Sequence, residues 1–146
     1  MAHLLDSNCF LRLAEQDSLH RAVVLDALRK LRAANETIYY TPQVMAEFWN
    51  VCTRPASVRG GLGLSVSQTE RKVKLIEKHF QLLPDSLTTH VQWRKLVSDL
   101  KVKGVQVHDA KIAASMIAHN IPFLVTLNEK DFHRFPMITA LNPANL

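Results

Sequence analysis

Glycine is scarce in this sequence and is absent before residue 60. A dinucleotide-binding fold needs a Gly-x-Gly-x-x-Gly turn after its first strand, where the backbone must approach a pyrophosphate closely. The first strand signal, at residues 3–5, is instead followed by Asp6, Ser7 and Asn8. A phosphatase of the haloacid dehalogenase type would need a second aspartate at position 8. The sequence therefore excludes both of these phosphate-handling classes.

Cysteine is equally scarce, with only Cys9 and Cys52, and each lies in an apolar stretch. Such cysteines are typical of small buried side chains rather than of a disulfide or a nucleophile. Without a Cys/His cluster, a structural zinc site is not expected. No apolar run reaches the ~18–20 residues that a membrane span needs. Asp6 also interrupts the N-terminal apolar stretch too early for a signal peptide, so we expect a cytoplasmic protein without a membrane segment.

The length of 146 residues fits one domain, so residues 1–146 are predicted to form a single unit. Lysine and arginine outnumber the acids by 18 to 13, a formal net charge of +5. If several acids gather in one site, the remaining surface is more basic than this value indicates. A basic surface suits a polyanionic partner such as nucleic acid, although it does not select one.

Helix and strand signals alternate along the chain, which predicts an α/β fold with a mostly parallel sheet. Strands are expected at residues 3–5, 37–40, 81–84, 123–126 and 137–141. Helices are expected from residue 7 or 8, over 21–34, from 42 to about 53, from a cap at Ser65 or Ser67, over about 88–103, and from 109 to about 120. Residues 56–64 contain three of the four glycines and are predicted to form a mobile loop.

In a parallel α/β sheet, strand carboxyl ends and helix amino ends share one edge, where ligands bind. Five polar side chains follow predicted strands or begin predicted helices at that edge: Asp6, Asp109, Thr126, Asn128 and Asp131. Glu47 lies about one turn into the helix that follows the second strand, within ~8 Å of the edge at ~1.5 Å per residue. Four separate segments thus direct polar side chains to one rim.

Each acid also has a simpler interpretation. Asp6 could simply cap the first helix, and Asp109 could likewise be an N-cap with no further role. Glu47 is too deep in its helix to cap it and shares a face with Val44 and Val51. A carboxylate on an apolar face needs a partner, which could be a lysine, an arginine or a metal ion.

Asp109 shares this property, because Ile112, Ala113 and Met116 mark the apolar face on which it lies. Two inward-facing acids at one edge repel each other unless a cation lies between them. A divalent metal is therefore a better explanation for the acids taken together than for any one of them alone. Oxygen ligands without sulfur or paired histidines favour Mg²⁺ or Mn²⁺ over zinc.

Four segments together resemble the motifs of the PIN-domain ribonucleases: residues 4–8 around Asp6, Glu47 after a Thr-Pro helix start, residues 107–114 around Asp109, and residues 124–132. Within that family the sequence is most similar to the VapC toxins of bacterial toxin–antitoxin pairs. The resemblance extends from about residue 2 to residue 140. It implies a three-layer α/β/α fold with a central sheet of about five strands.

The resemblance also implies an endoribonuclease that depends on Mg²⁺ or Mn²⁺ and hydrolyses RNA phosphodiester bonds with a metal-activated water. The acidic ligands would fall on Asp6, Glu47 and Asp109. The fourth position of the motif, often an aspartate in the family, is Asn128, so we expect one metal, or a partial transfer of the fourth role to Asp131. The alternative for Asp131 is a surface residue in a turn. The side chains that would orient the acids are Ser7 and Thr126.

A homodimer and a cognate antitoxin are further implications of the resemblance. Arg54, Arg59 and Lys111 are the main candidates for binding the RNA backbone, with Arg71 and Lys130 behind them; solvated surface positions are the alternative for each. Trp49 and Trp93 could stack bases or pack in the core. Because Asn128 lacks a charge, a catalytically weak domain that binds only RNA or protein remains the alternative function.

Overall fold

A computed structural model describes residues 1–16 and 19–146 of the chain. Within these residues, five strands form one sheet in the order β3-β2-β1-β4-β5, and every pairing is parallel. The strands are β1 Ala2–Leu5, β2 Thr37–Tyr40, β3 Gln81–Leu82, β4 Phe123–Val125 and β5 Thr139–Leu141. The predicted parallel sheet is thereby confirmed.

The central strand β1 carries the deepest part of the core. Leu4 pairs with Tyr39 on one side and with Leu124 on the other. Leu4 and Leu5 are fully buried. A strand that is buried on both faces reads as a continuous apolar run, which explains why the signal before Asp6 is short and strong. The strand order reverses beside β1, where ligands bind in open α/β sheets.

Six α-helices connect the strands in the described residues. They are α1 Ser7–Ala14, α2 Leu19–Ala33, α3 Pro42–Thr53, α4 Val66–His79, α5 Leu87–Asp99 and α6 Gln106–Ala118. Helix α1 packs against α2 and α3, and α3 packs against α4, whereas α5 and α6 pack against each other. These two groups are the outer layers of the predicted α/β/α arrangement. Two short 3₁₀ helices, Glu129–Phe132 and Pro143–Asn145, follow β4 and β5.

Both cysteines are buried and free, as predicted. Burial raises the pKa of each thiol, to about 11 for Cys52, so neither is ionised at neutral pH. Among the described helices, none combines the length and the hydropathy that crossing a bilayer requires.

The connection between α5 and α6 differs from the prediction. Helix α5 ends at Asp99 rather than near residue 103, because Lys101 adopts a left-handed backbone with φ 51°. Gly104 is also left-handed, and α6 then begins at Gln106, three residues before Asp109. The N-cap of α6 is Val105, so the interpretation of Asp109 as an N-cap is wrong.

The glycine-rich segment 56–64 is a defined turn on the end of α3. The Leu64 N–H donates to the Cys52 carbonyl at 2.8 Å, which closes the segment onto the helix. A Cβ at Gly61 would lie 2.3 Å from the Pro55 carbonyl oxygen, so only glycine fits there. The glycines thus permit a close backbone approach, which corrects the prediction of a mobile loop.

The start of α4 is fixed by a serine side chain. Ser65 is the cap: its hydroxyl accepts from the Gln68 N–H at 3.0 Å, and the Gln68 side chain accepts from the Ser65 N–H at 2.9 Å. We expect Ser65→Ala to lower the free energy of unfolding by about 1 kcal/mol, because the Gln68 N–H at the start of the helix loses its acceptor. Ser67→Ala is the matched control and should change it by less than ~0.5 kcal/mol. Urea denaturation measures both, and equal effects would contradict this assignment of the cap.

Candidate active site

Asp6 lies where β1 ends and α1 begins, and it is 6% exposed. Its Oδ1 accepts from the Ser7 N–H at 2.8 Å, which caps α1. Its Oδ2 accepts from the Thr126 hydroxyl at 2.8 Å and from Asn8 Nδ2 at 3.3 Å. Asp6 therefore caps a helix, as the simpler interpretation holds, while its second oxygen is held by the loop after β4.

Glu47 reaches the same edge from the second turn of α3. The start of that helix is set by Thr41, whose hydroxyl accepts from the Val44 N–H at 3.1 Å. Glu47 Oε2 accepts from the Ser7 hydroxyl at 2.8 Å, and Oε1 accepts from Gln43 Nε2 at 3.0 Å. In the described part of the chain, Glu47 forms no ion pair with a lysine, arginine or histidine. Ser7 thus connects the carboxylates of Asp6 and Glu47.

Asp109 completes the predicted trio from the first turn of α6, where it is half-buried. Its pKa is raised to about 6, mainly by burial and in addition by the charges of Asp131, Asp6 and Glu47. The pKa of Asp6 is also raised to about 6, by burial and by the charge of Glu47, against the hydrogen bonds from Thr126 and Ser7. The acids therefore share one electrostatic environment.

In the segment after β4, both Asn128 and Asp131 are exposed. The backbone N–H of Asn128 donates to the Thr126 hydroxyl at 3.1 Å. Asp131 lies in the 3₁₀ helix Glu129–Phe132, and its charge is the strongest electrostatic influence on the pKa of Asp109. We call Asp6, Glu47, Asp109 and Asp131 the acidic cluster.

Asn8 is a site residue to which the sequence assigned no role in the site, although it lies in the motif of residues 4–8. Its Nδ2 donates to Asp6 and, at 3.1 Å, to the Thr126 hydroxyl, while its Oδ1 accepts from the Leu127 N–H at 3.2 Å. Asn8 thereby joins the first turn of α1 to the loop after β4. Its position two residues after Asp6 is the feature of the sequence that could have indicated this role.

Gln43 is a second site residue that the sequence did not predict. Its Nε2 donates to Glu47 and to the His108 carbonyl at 2.9 Å, so it joins α3 to the first turn of α6. Its spacing of four residues before Glu47 places both side chains on one helix face, which is the signal that could have found it.

The donor set of the acidic cluster fits a hydrated hard cation. Within the described residues, no three His, Cys, Asp or Glu side chains converge tightly enough to hold an ion entirely by themselves. Mg²⁺ usually keeps several waters and takes only one or two carboxylates directly, so such convergence is not required. In the same residues, no basic side chain forms an ion pair with any member of the cluster.

The predicted RNA-binding cations lie outside the acidic cluster. Arg54 Nη1 donates to the Arg59 carbonyl at 2.8 Å, which ties it to the glycine-rich turn, and Arg59 is exposed. Lys111 Nζ lies 3.5 Å from Asp85 Oδ2. Arg71 and Lys130 are exposed.

Comparison with known proteins connects this architecture to a family. A family model described as the PIN domain matches residues 3–137. The curated protein ribonuclease VapC of Rickettsia bellii is 35% identical over 71 residues, which cover 47% of this chain and 52% of that protein. The match therefore spans about half the length of that relative.

Solved structures share the fold over nearly the whole chain. One is VapBC2 from Rickettsia felis bound to a DNA fragment of its promoter, with TM-score 0.74, 23% identity, and coverage of 97% of this chain and 98% of that chain. Another is VapBC-1 from nontypeable Haemophilus influenzae, with TM-score 0.70, 19% identity, and coverage of 98% of each chain. At these identities the likeness shows the fold alone.

The raised pKa values predict how stability depends on pH in metal-free protein. Asp6 and Asp109 bind a proton more tightly in the folded than in the unfolded chain. The resulting stability is full below the ordinary value of 3.8 and is lost as the pH rises through about 6. We expect Asp109→Asn in EDTA to raise the free energy of unfolding by about 1 kcal/mol at pH 7, a value discounted for partial exposure, and by little at pH 4.

Urea denaturation at the two pH values measures this effect, with the exposed Asp99→Asn as the control. A gain of the same size at pH 4 and pH 7, or a loss at pH 7, would show that charge repulsion is not the cause.

Proposed function

Because this chain belongs to the PIN-domain family, we propose that it is a metal-dependent endoribonuclease and the toxin of a toxin–antitoxin pair. The observation that carries the proposal is the acidic cluster. At the carboxyl edge of the parallel sheet, the charges of Asp131, Asp6 and Glu47 all raise the pKa of Asp109, and within the described residues no basic side chain pairs with any of the four acids. Like charges that influence one another in this way favour a bound cation.

Asp6, Glu47 and Asp109 would hold Mg²⁺ or Mn²⁺, with Asp131 rather than Asn128 as the fourth acid. When bound, such an ion lowers the pKa of water and offsets the charge that builds on phosphoryl oxygens during in-line attack. At neutral pH both raised carboxyl groups, with pKa values of about 6, are mostly ionised and available as ligands.

The protein side chains around the acids would set their orientation. Ser7 and Thr126 donate to Asp6, and Ser7 and Gln43 donate to Glu47, so the carboxylates are positioned before any ligand binds. Donors that orient metal ligands in this way usually matter for affinity and activity.

The charge distribution supports RNA as the substrate. The net charge is +5 although four of the 13 acids lie in the acidic cluster. The rest of the surface is therefore strongly basic, which favours a polyanionic backbone. Arg59 at the glycine-rich turn would contact that backbone, and Arg54 would hold the turn in place. Lys111 on α6 would contact another part of the RNA.

An antitoxin partner is supported by an apolar groove between α1, α2 and α4. The groove has a volume of ≈ 420 Å³, and its apolar lining includes Phe10, Leu28 and Ile76. Basic side chains from Arg21, Arg29, Arg32 and Lys72 also line it. A segment that combines apolar and acidic side chains would fit such a surface, as an antitoxin could supply.

A homodimer is supported by exposed apolar side chains at the free edge of the sheet. Leu82 on β3 is 50% exposed, and Leu87 and Val91 on α5 are 80% and 55% exposed. Edge strands with exposed apolar residues are typical contact surfaces.

Cleavage of RNA tests the proposal directly. We expect the purified protein to cut RNA in Mg²⁺ or Mn²⁺ and to stop in EDTA. Asp6→Asn and Asp109→Asn should each reduce the rate by at least ~10²-fold, because each removes a charge that the cation requires. The assay is gel analysis of a labelled RNA, and circular dichroism checks that the variants fold.

Asp99→Asn, which removes an exposed carboxylate outside the cluster, should cut at the normal rate. Undiminished cleavage by both cluster variants would exclude the proposed site. RNA binding without cleavage in the wild type would instead favour the alternative of a binding module.

The fourth position is tested by calorimetric titration of Mn²⁺. Asp131→Asn and Glu47→Gln should each weaken Mn²⁺ binding by roughly tenfold or more, since each takes a negative charge from the cluster. Asn128→Ala should leave it nearly unchanged, because the amide contributes no negative charge to the cluster. A larger loss in Asn128→Ala than in Asp131→Asn would reverse the assignment.

A further inference from the structure

A second cavity lies between α5 and α6 at the carboxyl edge of the sheet. Its volume is ≈ 290 Å³, and it is lined by Asp85, Ser86, Thr89, His90, Trp93 and Lys111. Asp85 and Ser86 follow β3 at the edge where the acidic cluster also lies. None of these residues belongs to that cluster.

One wall of the cavity is aromatic and fixed in orientation. Trp93 Nε1 donates to the Val107 carbonyl at 2.9 Å, which locks the half-buried indole between α5 and α6. The His90 ring lies one turn earlier on the same helix, with 6.0 Å between ring centroids and 36° between ring planes. Flat, partly exposed rings of this kind are surfaces on which nucleobases stack.

The cavity also contains polar groups, a hydrogen-bond donor beside an acceptor. Lys111 Nζ and Asp85 Oδ2 lie 3.5 Å apart, and their side chains are 41% and 42% exposed. An exposed pair of this kind contributes little by itself, so it can open at low cost and exchange its partners for those of a ligand.

The position of the cavity relates it to the acidic cluster. Asp109 and Lys111 are two residues apart on α6, about 200° around the helix axis at ~100° per residue. Asp109 therefore faces the cluster while Lys111 lines the cavity, with one helix of ~10 Å diameter between them. The Gln43 side chain holds the His108 carbonyl and so anchors this turn of α6 to α3.

We propose that this cavity binds one nucleobase of the RNA, from a nucleotide that flanks the bond to be cut. This reading as a substrate subsite rests on the proposed function. The rings of Trp93 and His90 stack the base, Asp85 accepts from its exocyclic amino group, and Lys111 donates to an adjacent ring nitrogen or carbonyl.

The pair favours cytosine, adenine or guanine over uracil. Each of these three bases carries an amino group beside an acceptor, which matches Asp85 beside Lys111. The ring N–H of uracil instead lies between two carbonyl oxygens, so that one oxygen could accept from Lys111 but the other would lie against the Asp85 carboxylate.

A phosphate is a poorer occupant than a base. Asp85 repels an anion, and two donors at the start of α5 are already used. The Thr89 N–H donates to the Ser86 hydroxyl at 3.2 Å, and the Ser86 N–H donates to Thr89 Oγ1 at 3.2 Å. Lys111 is thus left as the cation of the cavity lining.

Fluorescence titration tests the proposal. The chain has two tryptophans, so Trp49→Phe leaves Trp93 as the only indole. CMP, AMP and GMP should change its emission with saturation, UMP should bind several-fold more weakly, and inorganic phosphate should have no effect. Equilibrium dialysis of labelled CMP and UMP against the wild-type chain gives the same comparison if Trp49→Phe does not fold.

Substitutions in the cavity separate base recognition from a structural effect. Asp85→Ala and Lys111→Ala should each weaken CMP binding by roughly tenfold, the usual effect of losing a charge-assisted hydrogen bond. Asp85→Ala should also remove the preference for CMP over UMP, which a merely structural change would leave in place. The exposed Asp99→Ala and Lys95→Ala are the matched controls and should bind normally.

Equal binding of all four nucleotides, or the same response to inorganic phosphate, would overturn the proposal. Cleavage of RNA by the wild type together with a base-blind cavity would reject the subsite and leave the proposed function standing. Base-selective binding without cleavage in Mg²⁺ or Mn²⁺ would reject the nuclease and leave the pocket.

Discussion

The structure depends most on how the buried carboxylate of Asp6 is held. Its two oxygens accept from groups on either side, Ser7 at the start of α1 and Thr126 after β4. The bond to Thr126 joins the ends of β1 and β4, between which the strand order reverses. Burial nevertheless raises the pKa of Asp6, so the charge is costly even with its hydrogen bonds. The fold thus keeps the unfavourable negative charge of Asp6 between β1 and α1, at the edge of the sheet that carries the site.

The hydrogen bonds of the site connect elements that are remote in the sequence. Ser7 reaches Glu47 on α3, Gln43 on that helix reaches the carbonyl before Asp109, and Asn8 reaches the loop after β4. The carboxylates of Asp6 and Glu47 are therefore positioned by donors from the fold itself, and the backbone beside Asp109 is anchored to α3. Repulsion among them is tolerated because the parallel sheet and its helices supply the stability elsewhere, a common trade at functional sites. The same edge extends past α6 to the cavity at Trp93.

The sequence predicted the local structure wherever it depends on residues that are close together in the chain. The Thr41-Pro42 start of α3 and the apolar runs of β1 and β2 follow from capping preference and burial. Long-range relations were not readable in this way. The glycine-rich segment looked mobile because nothing in it shows that its backbone closes onto α3. Asp109 looked like a cap because the left-handed turns at Lys101 and Gly104 shift the start of α6.

The sequence by itself determined the parallel α/β architecture and the edge on which Asp6, Glu47 and Asp109 lie, because hydrophobic periodicity and strand–helix alternation are local properties of the chain. Only the tertiary structure decided that Asp131, rather than Asn128, joins their electrostatic environment, and that Asn8 and Gln43 orient the site. Those choices depend on distances between segments separated by up to 120 positions along the chain, such as Asp6 and Thr126. No local pattern encodes such distances, since they are set by how the layers pack.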